Sequence, residues 1–176
     1  MPDIGAAFIA HSRRYLLEEL APRIRTVVDQ LTDEEIWWRP NPASNSIGNL
    51  ILHLSGNVQQ WIVSGVGGFP DTRQRQSEFD ATGPIPAPEL LAQLDRTLND
   101  ADAALGALHS TQLLETRMIQ AREVSVLEAI YHVVEHFSMH TGQIAYIAKI
   151  RLGRDLGFYQ VVDGIPWPAW QRPEAP

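Results

Sequence analysis

The sequence of 176 residues contains no cysteine. This absence excludes disulfide bonds, thiolate nucleophiles and cysteine-ligated zinc or iron–sulfur centres, so any bound metal must be held by histidine, aspartate or glutamate. Basic residues are also few, with 14 Lys and Arg against 21 Asp and Glu and a formal net charge of −7. Because proteins bind phosphate backbones through clustered Lys and Arg, we expect no nucleic acid as a partner.

The sequence also lacks a targeting signal and a long apolar run. Its first residues, Met1 to Ile4, are not a basic segment followed by an apolar one, which predicts no signal peptide and a cytoplasmic location. Residues 40–70 carry no charge, but Asn and Gln interrupt them too often for a transmembrane helix, so we expect no membrane partner. With 44% hydrophobic and 20% charged residues, the composition predicts one globular domain over residues 1–176, with a tail at 165–176.

Four segments carry apolar residues at the helical period of 3.6. The second is predicted to begin near Ser46, and the fourth begins at the capping box Ser125-Val-Leu-Glu128. Pro22 lies inside the first segment and is expected to kink it. Because no convincing sheet is predicted, the expected fold class is all-α, a four-helix bundle. The predicted helices cover about residues 3–31, 46–62, 88–108 and 125–152.

The predicted connections between these helices differ in length. Residues 65–88 combine Gly and Pro with a charged patch and predict a long loop between helices two and three, a length that is often functional in compact domains. Residues 109–124 predict an irregular or short extended link before the fourth helix. The tail at 165–176 is too rich in proline for a regular helix, so we predict that it is irregular.

Three of the six histidines form a ladder on the predicted fourth helix. His132, His136 and His140 follow one another at four-residue spacing, which places neighbouring Cβ atoms about 5–6 Å apart on one face. Two such imidazoles can chelate one metal ion, and a catalytic site takes a third protein ligand and keeps one position for water or substrate. His53, in a polar ridge of the second helix, is the predicted third ligand. The alternative is a buried polar network of histidines without a metal.

Two classes of metalloenzyme are excluded by the residues around the ladder. Phe137 stands where a zinc protease of the His-Glu-x-x-His type has its general base. A ferritin-like di-iron site needs Glu-x-x-His on two helices, and this spacing does not occur in the sequence. A single mononuclear site is therefore the prediction.

Two stretches of the sequence resemble a known family. They are Ser46-Ile-Gly-Asn-Leu-Ile-Leu-His53-Leu-Ser-Gly-Asn57 and His132-Val-Val-Glu-His136-Phe-Ser-Met-His140-Thr-Gly-Gln143. Both are similar to the DinB-like family of the DinB/YfiT-like superfamily. The resemblance implies a four-helix bundle, often dimeric, in which a histidine of the second helix and a His-x-x-x-His pair of the fourth bind a divalent metal with an open coordination position. Carried over to this sequence, the ligands are His53, His136 and His140.

The resemblance does not include the third ladder histidine, His132, among the metal ligands. His132 lies one turn before the His136–His140 pair, so we predict that it orients a ligand or moves a proton instead of binding the ion. Gln143, on the same face, and Asn57, on the second helix, are candidates for the same tasks. The expected cofactor is a divalent transition metal such as zinc, nickel, cobalt or iron, because neutral imidazoles suit all of them.

The same resemblance implies a chemistry. Some members of that family are thiol-dependent transferases or isomerases that use low-molecular-weight thiols such as mycothiol, bacillithiol or glutathione. The first hypothesis is therefore a metal-dependent transferase or hydrolase, whose histidine triad holds a metal that activates a thiol or water against a small electrophile. The alternative is a non-catalytic stress-response or interaction module with a structural metal, closed by a loop carboxylate such as Glu78 or Asp80. A metal-free bundle used only for association is a third hypothesis.

The tail and the long loop carry apolar area outside the predicted core. Trp167 and Trp170 predict that the tail folds back onto the bundle, near the mouth of the histidine site or across an interface between copies. Together with the family resemblance, this predicts a homodimer with two-fold symmetry.

Overall fold

The computed structural model of this protein describes residues 3–171 and is mostly helical, with two small antiparallel strand pairs. The helices form four long segments. The first consists of α1 (Ile4–Arg14), π1 (Tyr15–Leu20) and α2 (Ala21–Val28), and the second of α4 (Ile47–Val58) and π2 (Gln59–Val66). The third is α6 (Ala87–Gly106) and the fourth is α7 (Val126–Leu152). The short elements are α3 (Asp33–Ile36), α5 (Arg75–Asp80), a 3-10 turn (Ser110–Gln112) and the strands β1 (Thr116–Ile119), β2 (Arg122–Ser125), β3 (Tyr159–Val162) and β4 (Ile165–Pro168). Within the described part of the chain, no helix combines the length and apolarity that crossing a membrane requires.

The first helical segment changes its geometry next to a proline. α1 continues into the wider turns of π1 and then into α2, whose second residue is Pro22. Proline has no N–H for the carbonyl four residues earlier and its ring collides with that carbonyl in a regular α-helix, so the chain widens ahead of it. The prediction of a kink at Pro22 thus takes the form of a π-helical segment inside one continuous helix.

The second segment begins at a buried capping box. The hydroxyl of Ser46 accepts from the backbone N–H of Asn49, whose Oδ1 accepts from the N–H of Ser46 in return. α4 then passes directly into π2, which ends at Val66. The predicted start of this helix agrees with the structure, and its end lies slightly beyond the predicted one.

The core lies where these long segments meet. α4 packs against both α6 and α7, while π1 and α2 pack against α7. Phe137 of α7 is completely buried in this core, together with Ile51 and Leu54 of α4. Because α4 and α7 are neighbours, residues on their facing sides can form a common site.

Both connections between the predicted helices contain regular structure, and the strands of the second agree with the extended alternative of its prediction. The 65–88 loop holds the short helix α5, which packs on α4. The 109–124 link forms the antiparallel β1–β2 hairpin, closed by Gln120 and Ala121. These two residues have φ of 51° and 58°, values that favour glycine or asparagine, and neither residue type signals the turn in the sequence.

The prediction of an irregular tail is wrong for residues 165–168. They form β4, which pairs with β3 across a turn at Asp163 and Gly164, where φ is 52° and 79°. Asp-Gly is a strong signal for such a turn, and proline is tolerated in β4 because the pair has only edge strands. Residues 172–176 of the predicted tail lie outside the described residues.

The tail folds back onto the first helical segment. Nε1 of Trp170 donates a hydrogen bond to the backbone oxygen of Glu18 (2.8 Å), the carbonyl for which Pro22 lacks the usual N–H. The Arg23 guanidinium lies 5.6 Å from the centre of the Trp170 ring, and Phe158 packs against the edge of that ring. The tail thus folds back onto the helices as predicted, but the described contacts of Trp170 are with Glu18, Arg23 and Phe158 and not with the histidine triad.

Replacing Trp170 with Ala should detach this tail. The variant loses a hydrogen bond, a cation–π contact and the half-buried ring, so we expect the free energy of unfolding to fall by about 1–2 kcal/mol in urea denaturation. Cleavage by chymotrypsin at Phe158 and Tyr159 should become faster. Trp38→Ala, which removes a different tryptophan stacked under an arginine, serves as control; equal protease rates for Trp170→Ala and the native chain would contradict tail docking.

Candidate metal centre

Three of the predicted site histidines meet between α4 and α7. Nε2 of His53 lies 3.1 Å from Nε2 of His136, and Nε2 of His140 lies 3.1 Å from the same atom. One ligand atom from each residue falls within 4.8 Å of the others, which is close enough for a single metal ion. The structure thus brings together the three residues that the resemblance implied as ligands.

His53 is held from its other side by a buried carboxylate. Its Nδ1 lies 2.8 Å from Oε2 of Glu78, a residue of α5 that is only 7% exposed. Nη2 of Arg73 also lies 3.1 Å from this Nδ1. Because the contact with the carboxylate is the shorter one and a carboxylate can only accept, we assign the proton to Nδ1, which leaves the lone pair of Nε2 facing the other histidines. Gly56 makes this approach possible, because a Cβ at that position would overlap Oε1 of Glu78.

Glu78 is itself clamped by an arginine that sequence analysis did not single out. Nε and Nη2 of Arg73 donate to Oε1 and Oε2 of Glu78 at 2.7 and 2.9 Å, and the Arg73 side chain is 2% exposed. Burial alone would raise the pKa of Glu78, but the hydrogen bonds from Arg73 and then His53 outweigh it and hold this pKa below its usual range. The carboxylate therefore stays ionised beside His53.

The two loop carboxylates proposed as a fourth ligand are engaged elsewhere. Glu78 lies on the Nδ1 side of His53, away from the Nε2 cluster, and both of its oxygens bind Arg73. Asp80 is exposed and accepts a hydrogen bond from Gln76 within α5. In this structure Glu78 therefore contacts the Nδ1 side of His53, and neither of the two loop carboxylates joins the Nε2 cluster.

The other two histidines of the triad differ in what holds their Nδ1 atoms. Nδ1 of His140 lies 2.6 Å from Oε1, the side-chain amide oxygen of Gln143, and this contact holds the ring in its orientation. Nδ1 of His136 is buried and has no hydrogen-bond partner in the described structure. Burial, followed by the neighbouring His140 and His53, lowers the pKa of His136 to about 3, and burial also lowers the pKa of His140.

This donor set fits a divalent metal. The lone pairs on Nε2 of His53 and His140 both face His136. Because the pKa of His136 is low, a proton on this residue is disfavoured as the positive charge that these lone pairs would attract. Zinc–nitrogen bonds of about 2.0–2.1 Å in a tetrahedron place the nitrogens about 3.3 Å apart, close to the observed 3.1 Å. Small outward shifts of the rings would therefore suffice to admit an ion.

The remaining two predicted site residues lie one turn away from the triad. Nδ2 of Asn57 is 3.4 Å from Nε2 of His132, and the ring of Trp61 packs on the His132 ring with centres 4.2 Å apart. The His132 and His136 ring centres are 5.4 Å apart, and burial lowers the pKa of His132. His132 and Asn57 are thus neighbours of the triad, and neither contributes to the Nε2 cluster.

The comparisons with known proteins identify the family. Residues 3–162 match the family described as "Protein of unknown function (DUF1572)". The chain belongs to the DUF1572 family. This family is DinB-like, which confirms the resemblance found in the sequence. No curated protein matches this DUF1572 chain.

Two solved structures share the fold of this DUF1572 protein. A DinB-like protein from Bacillus cereus has a TM-score of 0.64 at 16% identity, over 82% of this chain and 93% of that one. A conserved protein from Enterococcus faecalis has a TM-score of 0.60 at 15% identity, over 86% of this chain and 96% of that one. At these identities the similarity extends to the fold alone.

The metal-free DUF1572 protein should lose stability as the pH falls from 7 to 5. The unfolded chain takes up a proton on His136 near pH 6.5, whereas the folded chain takes it up only near pH 3, so acid favours the unfolded state over this window. His132 and His140 act in the same direction. In urea titrations, His136→Gln should flatten the pH dependence without abolishing it, while the exposed His11→Gln should not; an unchanged slope in His136→Gln would contradict the buried neutral imidazole.

Replacing Glu78 with Gln should weaken metal binding without removing a ligand. The amide still accepts from Nδ1 of His53, but the charge-assisted bond is lost, so we expect a 10–100-fold higher Kd for Zn²⁺ or Co²⁺. Competition titration with a chromogenic chelator measures the change. Glu89→Gln, an exposed glutamate of α6, is the control, and equal affinities in the two variants would refute the role of Glu78.

Proposed function

We propose that the four long helical segments form the four-helix bundle of the DinB-like type and hold one divalent transition metal, such as zinc, nickel, cobalt or iron. The ligands are Nε2 of His53, His136 and His140. The observation that carries this proposal is the convergence of these three atoms at 3.1 Å contacts between α4 and α7. It is further supported by the Glu78 carboxylate and the Gln143 amide oxygen, which face the Nδ1 atoms of His53 and His140.

The proposed reaction is the attack of a thiol, or of water, on a small electrophile, which makes the protein a metal-dependent transferase or hydrolase. The metal supplies Lewis acidity, which lowers the pKa of a thiol or water in its open position. The chain's own residues do the positioning: Glu78 and Gln143 each accept an Nδ1–H and so aim Nε2 of His53 and His140. Arg73 keeps Glu78 ionised and in place.

His132 and Asn57 have a different task in this proposal. They lie one helical turn from the Nε2 cluster, beyond the distance of a ligand bond. From there they contact the substrate beside the reacting atom, with Nε2 of His132 as a group that can accept or donate a proton.

A structural metal in a non-catalytic stress-response or interaction module is the second candidate function. Such a site needs a fourth protein ligand. The engagement of Glu78 by Arg73 and the exposed position of Asp80 favour an open site over a closed one. The open site is therefore our first proposal.

We further propose that the substrate side involves small molecules, among them a low-molecular-weight thiol, and no nucleic acid. A symmetric homodimer is the proposed assembly. It is supported by an exposed apolar stripe along α7, beside the histidine ladder. The stripe consists of Leu127, Tyr131, Met139, Tyr146 and Ile150.

Metal loading and thiol binding test this proposal together. Elemental analysis of the purified protein should find about one transition metal per chain, and His136→Ala should lower the affinity for Co²⁺ by more than about 100-fold, beyond the loss expected for an outer partner. His11→Ala, an exposed histidine of α1, is the control.

Adding a thiol to the cobalt-loaded protein should produce a sulfur-to-cobalt charge-transfer band. A strong rise in melting temperature on loading, with no thiol band and no turnover with any thiol and electrophile, would instead support the structural module. Full metal occupancy in His136→Ala would refute the ligand assignment.

A further inference from the structure

Two buried polar atoms near the histidine triad have no hydrogen-bond partner within the described residues. They are Oδ1 of Asn57, in α4, and Nε1 of Trp61, in π2. The two residues are only 3% and 5% exposed, so bulk water does not serve these atoms. An unpaired acceptor and an unpaired donor, four residues apart along one continuous helix, are costly to keep buried and call for a partner.

These atoms belong to one polar cluster beside the proposed metal. Asn57 and Trp61 both contact His132, through the 3.4 Å approach of Nδ2 to Nε2 and through the stacked rings. His132 lies one turn from His136, with ring centres 5.4 Å apart. The cluster is therefore adjacent to the Nε2 atoms that would hold the metal.

The cluster selects for an uncharged group. Its hydrogen-bonding atoms belong to an amide, an indole and an imidazole, with no carboxylate or guanidinium bonded to them. A ligand must donate to Oδ1 of Asn57 and accept from Nε1 of Trp61. A single hydroxyl donates and accepts through one atom. Asn57 and Trp61 lie about one helical turn apart, so a ligand whose donor and acceptor are on neighbouring atoms reaches both of them better.

We propose that Asn57, Trp61 and His132 form a subsite for an amide group of the small thiol that binds at the metal. The amide carbonyl accepts from Nε1 of Trp61, and the amide N–H donates to Oδ1 of Asn57. This inference rests on the proposed function, because it assumes that a thiol sulfur occupies the open position. It names the class of substrate: a thiol that carries an amide a few bonds from its sulfur.

Entry of the amide requires a movement of the Trp61 ring, since both polar atoms are covered in the free protein. The turn of the β1–β2 hairpin is tied to this region, where Nε2 of Gln120 donates to Oε1 of Gln60. Binding should therefore change the fluorescence of Trp61.

Matched thiols test the subsite. The cobalt-loaded protein is titrated with 3-mercaptopropionamide and with butanethiol, which has an apolar group in place of the amide, and the sulfur-to-cobalt band is followed. We expect the amide thiol to bind about 10-fold more tightly, as two added hydrogen bonds allow. The advantage should vanish in Asn57→Leu and fall several-fold in Trp61→Phe, which keeps a ring and removes only the donor. Trp38→Phe and the exposed Asn99→Leu are the matched controls.

Three outcomes overturn the subsite. They are equal binding of the two thiols to the native protein, an amide advantage that survives both variants, and equal weakening of both thiols and of cobalt in the variants, which would indicate a structural role only.

If neither thiol gives a cobalt band, the proposed function fails for thiols, and propionamide alone decides the subsite. It should change the tryptophan fluorescence of the native protein and of Trp38→Phe but not of Trp61→Phe. No change in the native protein would refute the amide subsite.

Discussion

The hydrogen bond between Glu78 and His53 depends on a carboxylate that is kept charged inside the protein. An isolated buried carboxylate would take up a proton, but Arg73 places a guanidinium on both of its oxygens. The charged pair then fixes the tautomer of His53, and through it the direction of the Nε2 lone pair. The orientation of His53 thus depends on an ion pair whose members do not belong to the triad.

The loop that carries this ion pair is tied to α4 and to Arg39 by hydrogen bonds to its backbone. Nδ2 of Asn49 donates to the backbone oxygens of Glu78 and Ala81 at 2.9 and 2.8 Å. Nη2 of Arg39 donates to the oxygens of Phe79 and Ala81. Asn49 also closes the capping box of α4, so one amide joins the start of the helix to the segment that carries Glu78.

The periodic part of the site was predictable from the sequence and its loop-borne part was not. The four-residue spacing of His132, His136 and His140 fixes their common face on any helix, whatever the rest of the chain does. Arg73 and Glu78 come from the long loop, where no periodicity relates them to His53 and only folding of the loop onto α4 brings them together. For the same reason, the sequence offered Glu78 and Asp80 equally as loop carboxylates and did not predict that Glu78 faces Nδ1 of His53.

The fold shows the same division between local and non-local signals. Capping boxes and apolar periodicity predicted where α4 and α7 begin, since both signals are local. For the link at 109–124 the sequence predicted an irregular or short extended segment, but not the turn of the β1–β2 hairpin, because Gln120 and Ala121 adopt glycine-like dihedrals without being glycine or asparagine. The hairpin packs closely on π2, since a Cβ on Gly65 would overlap the side chain of Ile119.

The three triad imidazoles are unequal donors, because each has a different neighbour at Nδ1. His53 faces a carboxylate, His140 faces a neutral amide oxygen, and the Nδ1 of His136 has no partner in the described structure. An imidazole whose N–H points at an anion is more basic and binds a cation more firmly. If the triad holds an ion as proposed, its bond to His53 would be the strongest and its bond to His136 the weakest, so the ion would leave His136 first. Groups that never touch the ion would then set the order in which its bonds open.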